Sequence, residues 1–299
     1  MACIFERYAG EPLWLHGEHG RPKRELVVRM SARLDNYDYL LDWIFQQDGE
    51  IRVSVGATGL VAVKSASPKD AVAAAEAEPG PYGAADRFGR FVDEHVVAVN
   101  HSHYFNFRFD LDVDGRDNSF SLERLRQMRL AEDHVRRSVW VAEAETPARE
   151  SEARLRKNLD RPALWRVINP AKRNRNGYPV GYQVAGGVTT HTLLSEDDMP
   201  RRRAGFIDHD LWVTPYAPKE RYAAGDYPTL SAPGQGLPDW TAADRSIQNT
   251  DLVVWYTMGM HHVVRAEDWP VMPVLRHDVS LRPFDFFDEN PGMNADVTP

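Results

Sequence analysis

Apolar and polar residues alternate along most of this chain with the period of strands rather than helices. Residues 24–33 alternate around Leu26, Val28 and Met30, and residues 36–47 are rich in aromatic and branched side chains. Asp48-Gly49 follows as a two-residue hairpin signal, and Ile51, Val53 and Val55 return the chain as the partner strand. Ala57-Thr58-Gly59 breaks that strand before residues 60–63 resume extended chain. The longest stretch, residues 96–115, reads as one strand ending in the Asp114-Gly115 turn. Residues 120–128, 135–144, 164–168, 178–184 and 211–216 predict further strands, and residues 251–258 predict a buried one that delivers Gly259-Met260-His261-His262.

The interruptions are as telling. Gly10, Gly17, Gly20 and Pro22 stand too close together for a long regular element, so residues 1–23 read as a covering segment. Residues 66–90 predict a surface excursion with a short helix, and residues 146–160 a polar helix that adds little to a core. Residues 217–250, with Pro218, Gly225, Pro228, Pro233, Gly234, Gly236 and Pro238, predict a long irregular arm, and Trp269-Pro270-Val271-Met272-Pro273 closes the tail. There is no repeat and no internal boundary. The expectation is one all-β domain over 1–299, a large antiparallel sandwich with long loops and arms.

Composition removes several classes. With 36 Lys and Arg against 44 Asp and Glu, the net charge of −8 gives no field for a polyanion, so nucleic acid is not expected as a partner. No apolar run spans a membrane and no basic-then-apolar leader opens the chain, so as written it reads as cytoplasmic, with an extracytoplasmic home open if a further region precedes it. The single Cys3 excludes an intrachain disulfide and a cysteine-based zinc site. Histidine and carboxylate are left as ligands.

His101 and His103 would share one face of a strand, and such a pair needs a third ligand. Asp110 and Asp112 likewise place two carboxylates on one side. By itself His-x-His is as compatible with two ordinary strand histidines.

Two distant signatures carry a resemblance. One is Asn36-Tyr37-Asp38-Tyr39 with Trp43, Asp48-Gly49 and Ala57-Thr58-Gly59; the other is His101-Ser102-His103 followed by residues 107–115, joined by Asp251, Trp255, His262, Arg265, Glu267-Asp268-Trp269-Pro270 and Met272-Pro273. Together, from about Ile4 to Pro291, they make the chain resemble the C-terminal catalytic domain of copper amine oxidases. The resemblance implies that Tyr37 is oxidised to topaquinone, that Asn36 and Asp38 fix how its ring faces, and that His101, His103 and His262 bind copper(II), with His261 and His277 as bystanders. It implies a calcium site from Asp110, Asp112 and Asp251 with the carbonyls of Leu111 and Leu252. A second, peripheral calcium site is unmatched, because Trp240, Ala243 and Arg245 stand where oxygen ligands belong.

The implied activity converts a primary amine, with oxygen, to aldehyde, ammonia and hydrogen peroxide in a homodimer whose arms, residues 66–90 and 217–250, embrace the other subunit. Two departures stand out. Arg33 and Asp35 add charge beside Tyr37, and the family's catalytic aspartate lies further ahead of the cofactor tyrosine than the 36 residues available here. The expectation is therefore a truncated catalytic domain, with a copper-binding sandwich that has lost turnover as the alternative.

Overall fold

In the computed structural model, which describes residues 2–227, 230 and 232–293, antiparallel ladders carry the chain. The large sheet runs, in spatial order, β1 (Ala2–His16), β2 (His19–Leu34), β3 (Tyr37–Gln46), β4 (Ile51–Gly59), β15 (Met272–Phe284), β12 (Pro179–Gly186), β11 (Ala163–Arg173), β9 (Ser119–Arg129) and β10 (Ser138–Glu145). A second sheet, β13 (Leu211–Pro215), β14 (Leu252–His262) and β8 (His101–Leu111), lies over its middle. A third joins β5 (Val63–Ser65), β7 (Val96–Val99) and β6 (Gly89–Asp93). The class is the expected all-β sandwich. Among the described residues no helix is long and apolar enough to cross a membrane.

The core sits between the two larger sheets. Val53, Val55, Phe120, Leu122, Val167, Val279 and Leu281 from one meet Phe109, Leu211, Val213, Val254, Tyr256 and Met258 from the other. Along β8 and β14 the inward rows are Leu111, Phe109, Phe107, Phe105, His103, His101 and Leu252, Val254, Tyr256, Met258, Met260, His262, paired rung by rung. The histidines are thus the last members of two core-facing rows.

Several sequence expectations are corrected. Residues 96–115 are two strands: the amide of Val99 donates to the carbonyl of Ala62 and that of Asn100 to Phe88, so the chain changes sheets at Asn100. Of the segment 1–23, the described residues 2–23 belong to a long hairpin, because β1 is an edge strand whose register shifts around Pro12 absorb the breakers. Residues 146–160 hold only a short 3₁₀ turn, Glu150–Ala153: Glu150 is fully buried against Arg245, and Leu155 donates its amide to Leu211. Tertiary pairing overrides local propensity there.

The described residues of 217–250 form no strand, as expected, yet much of the segment folds back instead of reaching out: Ala223, Leu237 and Trp240 pack on Trp212, Val253 and Trp255. Pro228 lies outside the described residues. Two ribbons carry exposed apolar side chains, β1–β2 with Ile4, Tyr8 and Leu15, and the distal half of β9–β10 with Met128 and Trp140. The tail adds a strand beyond the sequence expectation, β15, in the middle of the large sheet.

The apolar row of β2 also faces otherwise than its hydrophobicity suggests. Leu26 and Met30 are exposed, whereas Glu25 and Val27 on the opposite face are buried. That opposite face is roofed by ion pairs, Arg7 and Arg52 on Glu25 and Arg29 and Arg276 on Asp42, whose aliphatic stems shield Val27 and Ile44.

Candidate metal centre

Three histidines converge where β8 and β14 end. His101 pairs with His262 and His103 with Met260, and the rings of His101 lie 4.8 Å from His103 and 4.9 Å from His262, centroid to centroid. One nitrogen from each falls within 4.8 Å of the others.

Hydrogen bonds decide which nitrogens face the middle. Nδ1 of His101 lies 2.8 Å from the carbonyl of Val99 and so donates, leaving Nε2 as the lone-pair nitrogen. Nδ1 of His103 lies 3.2 Å from the hydroxyl of Tyr39, and its buried Nε2 has no hydrogen-bond partner. Nε2 of His262 lies 2.9 Å from the buried carboxylate of Asp268, and its Nδ1 has none. Two orphaned buried imidazole nitrogens are costly unless something takes their lone pairs. Imidazole nitrogen is a donor set that suits copper(II), and the residues fit that ion.

Electrostatics keeps the donors ready. Burial, reinforced by the neighbouring imidazoles, pushes His103 down to about 4, and burial also lowers His101. Both are neutral near pH 7, the form that binds a metal. Burial alone would raise the Asp268 carboxyl, but bonds from His262 and Arg265 outweigh it and hold Asp268 below its ordinary range. An anion therefore faces His262 from behind, as outer partners of metal-binding histidines usually do.

Tyr37 opens β3, and its hydroxyl lies 2.7 Å from Nε2 of His101, the lone-pair nitrogen. Burial pushes its phenol up, so the hydroxyl carries its proton and donates. The turn beneath it is clamped: the amide of Leu60 donates to the carbonyl of Asn36 at 2.8 Å, and Nδ2 of Asn36 donates back to Leu60 at 2.5 Å. Gly59, paired with Tyr37, closes the contact at φ +102, where a Cβ would stand 2.6 Å from the carbonyl oxygen of Asn36. Asn36 thus fixes the turn. Asp38, the next residue of the strand, faces the other side of the sheet, away from the cluster, with Arg33 across from it. Arg33 reaches the backbone carbonyl of Asp35 at 3.2 Å on the exposed hairpin, and its place across from Asp38 puts it on the face opposite Tyr37.

His261 bonds Ser102 on the opposite face, and His277 stays outside the cluster but adds positive potential at His103. Asp268 and Tyr39 were given no role by the sequence, although both lie in the quoted motifs; only the fold brings them to the rings.

At the other end of the same strand pair, Asp110, Asp112 and Asp251 bring carboxylate oxygens within 4.8 Å of one another, with Leu111 and Leu252 paired beside them. Oδ1 of Asp251 is buried without a partner, and burial, then Asp110 and Asp112, raises its carboxyl. An oxygen set of that kind fits a hard cation. Where oxygen ligands were missed by sequence, Arg245 bridges Glu150 and Glu220, both at 2.7 Å, a guanidinium held between two carboxylates.

The family model described as copper amine oxidase, enzyme domain, matches residues 1–298. The chain is 38% identical over 306 residues to the peroxisomal copper-containing amine oxidase alpha 2 of Arabidopsis thaliana, covering 99% of this chain and 44% of that protein. It is 39% identical over 302 residues to the primary amine oxidase of Klebsiella aerogenes, covering 97% of this chain and 39% of that protein. Among solved structures, the copper-containing benzylamine oxidase from Hansenula polymorpha superposes with a TM-score of 0.88 at 30% identity, over 99% of this chain and 45% of that one. The chain thus spans less than half the length of these relatives.

Proposed function

We propose, on the premise that this chain belongs to the copper amine oxidase family, that it is a single catalytic sandwich domain holding the copper(II) and the tyrosine-derived quinone of a primary-amine oxidase. The activity proposed is oxidative deamination: a primary amine, oxygen and water yield an aldehyde, ammonia and hydrogen peroxide. The observation that carries the reading is the hydroxyl of Tyr37 at 2.7 Å from the lone-pair nitrogen of His101, inside a ring of three histidines.

His101, His103 and His262 would hold the ion through Nε2, Nε2 and Nδ1. The ion, when bound there, would supply the oxygen chemistry needed to oxidise Tyr37 to topaquinone and to reoxidise the reduced cofactor. Everything else is placement by the chain. Burial keeps His103 unprotonated, the Asn36–Leu60 clamp sets the height of Tyr37, and Tyr37 presents its hydroxyl proton to His101 until an ion takes that nitrogen. We assign the second cluster, Asp110, Asp112, Asp251 and the carbonyls of Leu111 and Leu252, to calcium, and a homodimer to the assembly, with the exposed β9–β10 ribbon as one arm that could reach a partner.

The alternative outcome is a copper-binding sandwich without turnover. One sample separates the two. Copper-loaded protein in air should develop a visible absorbance that phenylhydrazine shifts, and His262→Ala should lose both copper and absorbance. Peroxide release on adding a primary amine supports the oxidase; quinone with no peroxide supports the alternative. Full copper occupancy in His262→Ala would refute the ligand assignment.

A further inference from the structure

We propose that Tyr39 is a positioning residue of the metal centre: its hydroxyl holds the Nδ1 edge of His103, leaving Nε2 of that ring for the ion, and the same contact keeps Tyr39 itself outside the ligand shell. The proposal rests on the copper reading above.

Two tyrosines of β3 meet two histidines of β8 at matched spacing, Tyr37 on His101 and Tyr39 on His103. What differs is the nitrogen each hydroxyl meets. Nδ1 of His101 is tied to the carbonyl of Val99, so Tyr37 reaches the nitrogen left for a ligand. On His103 the relation is reversed, because Tyr39 reaches Nδ1 and the orphaned nitrogen is Nε2. One hydroxyl therefore lies inside the ring of lone pairs and the other behind it. Chemically similar side chains two residues apart are thereby given different work.

A neutral imidazole has one N–H and one lone pair, and the partner of the first fixes the place of the second. Once an ion takes the lone pair of Nε2, the proton sits on Nδ1, which then donates to the hydroxyl of Tyr39. The phenol is suited to that work because its ring is itself held, stacked 6.1 Å from Tyr37 and edge-on to Phe105 at 5.6 Å. Without the hydroxyl, Nδ1 loses its acceptor, and the tautomer with a proton on Nε2, aimed at the ion, gains population.

Tyr39→Phe keeps the ring packing and removes only the oxygen. Copper affinity, measured by competition with a chelator of known strength, should fall about 10-fold or more, within the range seen when outer partners of metal ligands are removed. The electron paramagnetic resonance spectrum of bound copper should change, a readout that lost packing alone does not move, and melting of the metal-free variant controls for folding. A second arm needs no change at Tyr39: in Tyr37→Phe, copper and air should leave Tyr39 unoxidised when the peptide spanning it is analysed by mass. Wild-type affinity and spectrum in Tyr39→Phe, or an oxidised Tyr39 in Tyr37→Phe, overturns the proposal. Wild-type protein that binds no copper fails at the earlier step, overturning the copper reading and this role with it.

Discussion

Replacing Gly59 with Ala should uncouple quinone formation from copper binding. At φ +102 an L side chain is strained, a conformation that costs about 1–3 kcal/mol. The new Cβ would also stand 2.6 Å from the carbonyl oxygen of Asn36, 2.9 Å from the amide of Asp38 and 3.1 Å from Cα of Tyr37. These are main-chain atoms, so no rotamer change relieves the contact. The turn must retreat by about 1 Å, and displacement of a reacting group on that scale costs on the order of 100-fold in rate. None of the three histidines lies on β3 or β4, so the ion keeps its ligands. The expected result is near-stoichiometric copper by metal analysis, a loss of about 2–4 kcal/mol in urea unfolding, and quinone development slowed roughly 100-fold by phenylhydrazine titration. Quinone appearing at the wild-type rate, or copper lost together with it, would refute the reasoning.

Three further outcomes are expected. Unfolded His103 takes up a proton near 6.5 and folded His103 only near 4, so between those values the unfolded state binds more protons and stability falls with falling pH, by about 1–2 kcal/mol after allowance for partial exposure; a His103→Gln protein with the same slope would count against this. Calcium at 100 times its dissociation constant should stabilise the protein by about 2.7 kcal/mol, and Asp251→Asn should abolish the effect; a calcium response that survives in Asp251→Asn refutes the site. Light scattering at micromolar concentration should report a dimer, and a monomer there refutes the assembly.

Much of the site was legible because its pieces sit on single strands. His101 and His103 share a face by period alone, and the pairing of residues 36–47 with 51–55 through Asp48-Gly49 stands as read. What could not be read was what lies across a gap. Nothing in the spacing of residues 262–268 says that Asp268 turns back onto His262, or that Glu150 is buried under Arg245 instead of lining a solvated helix. β15 carries the strand period in its sequence: Leu275, His277, Val279 and Leu281 alternate with Arg276, Asp278, Ser280 and Arg282. The facing of β2 was misleading for a physical reason, since its charged side is the one that neighbouring arginines cover.

The β8–β14 ribbon pairs without a slip from Leu252 with Leu111 to His262 with His101, and the two candidate ion sites hang at its opposite ends, roughly 30 Å apart, on opposite faces. Losing one codon between 104 and 109 would leave the composition of the chain almost unchanged, yet it would turn one half of β8 over relative to the other. Either the histidines or the aspartates would then meet the wrong side of β14. Along this ribbon a lineage can trade one apolar residue for another at small cost, but it cannot change length, because both sites are spelled in a single frame.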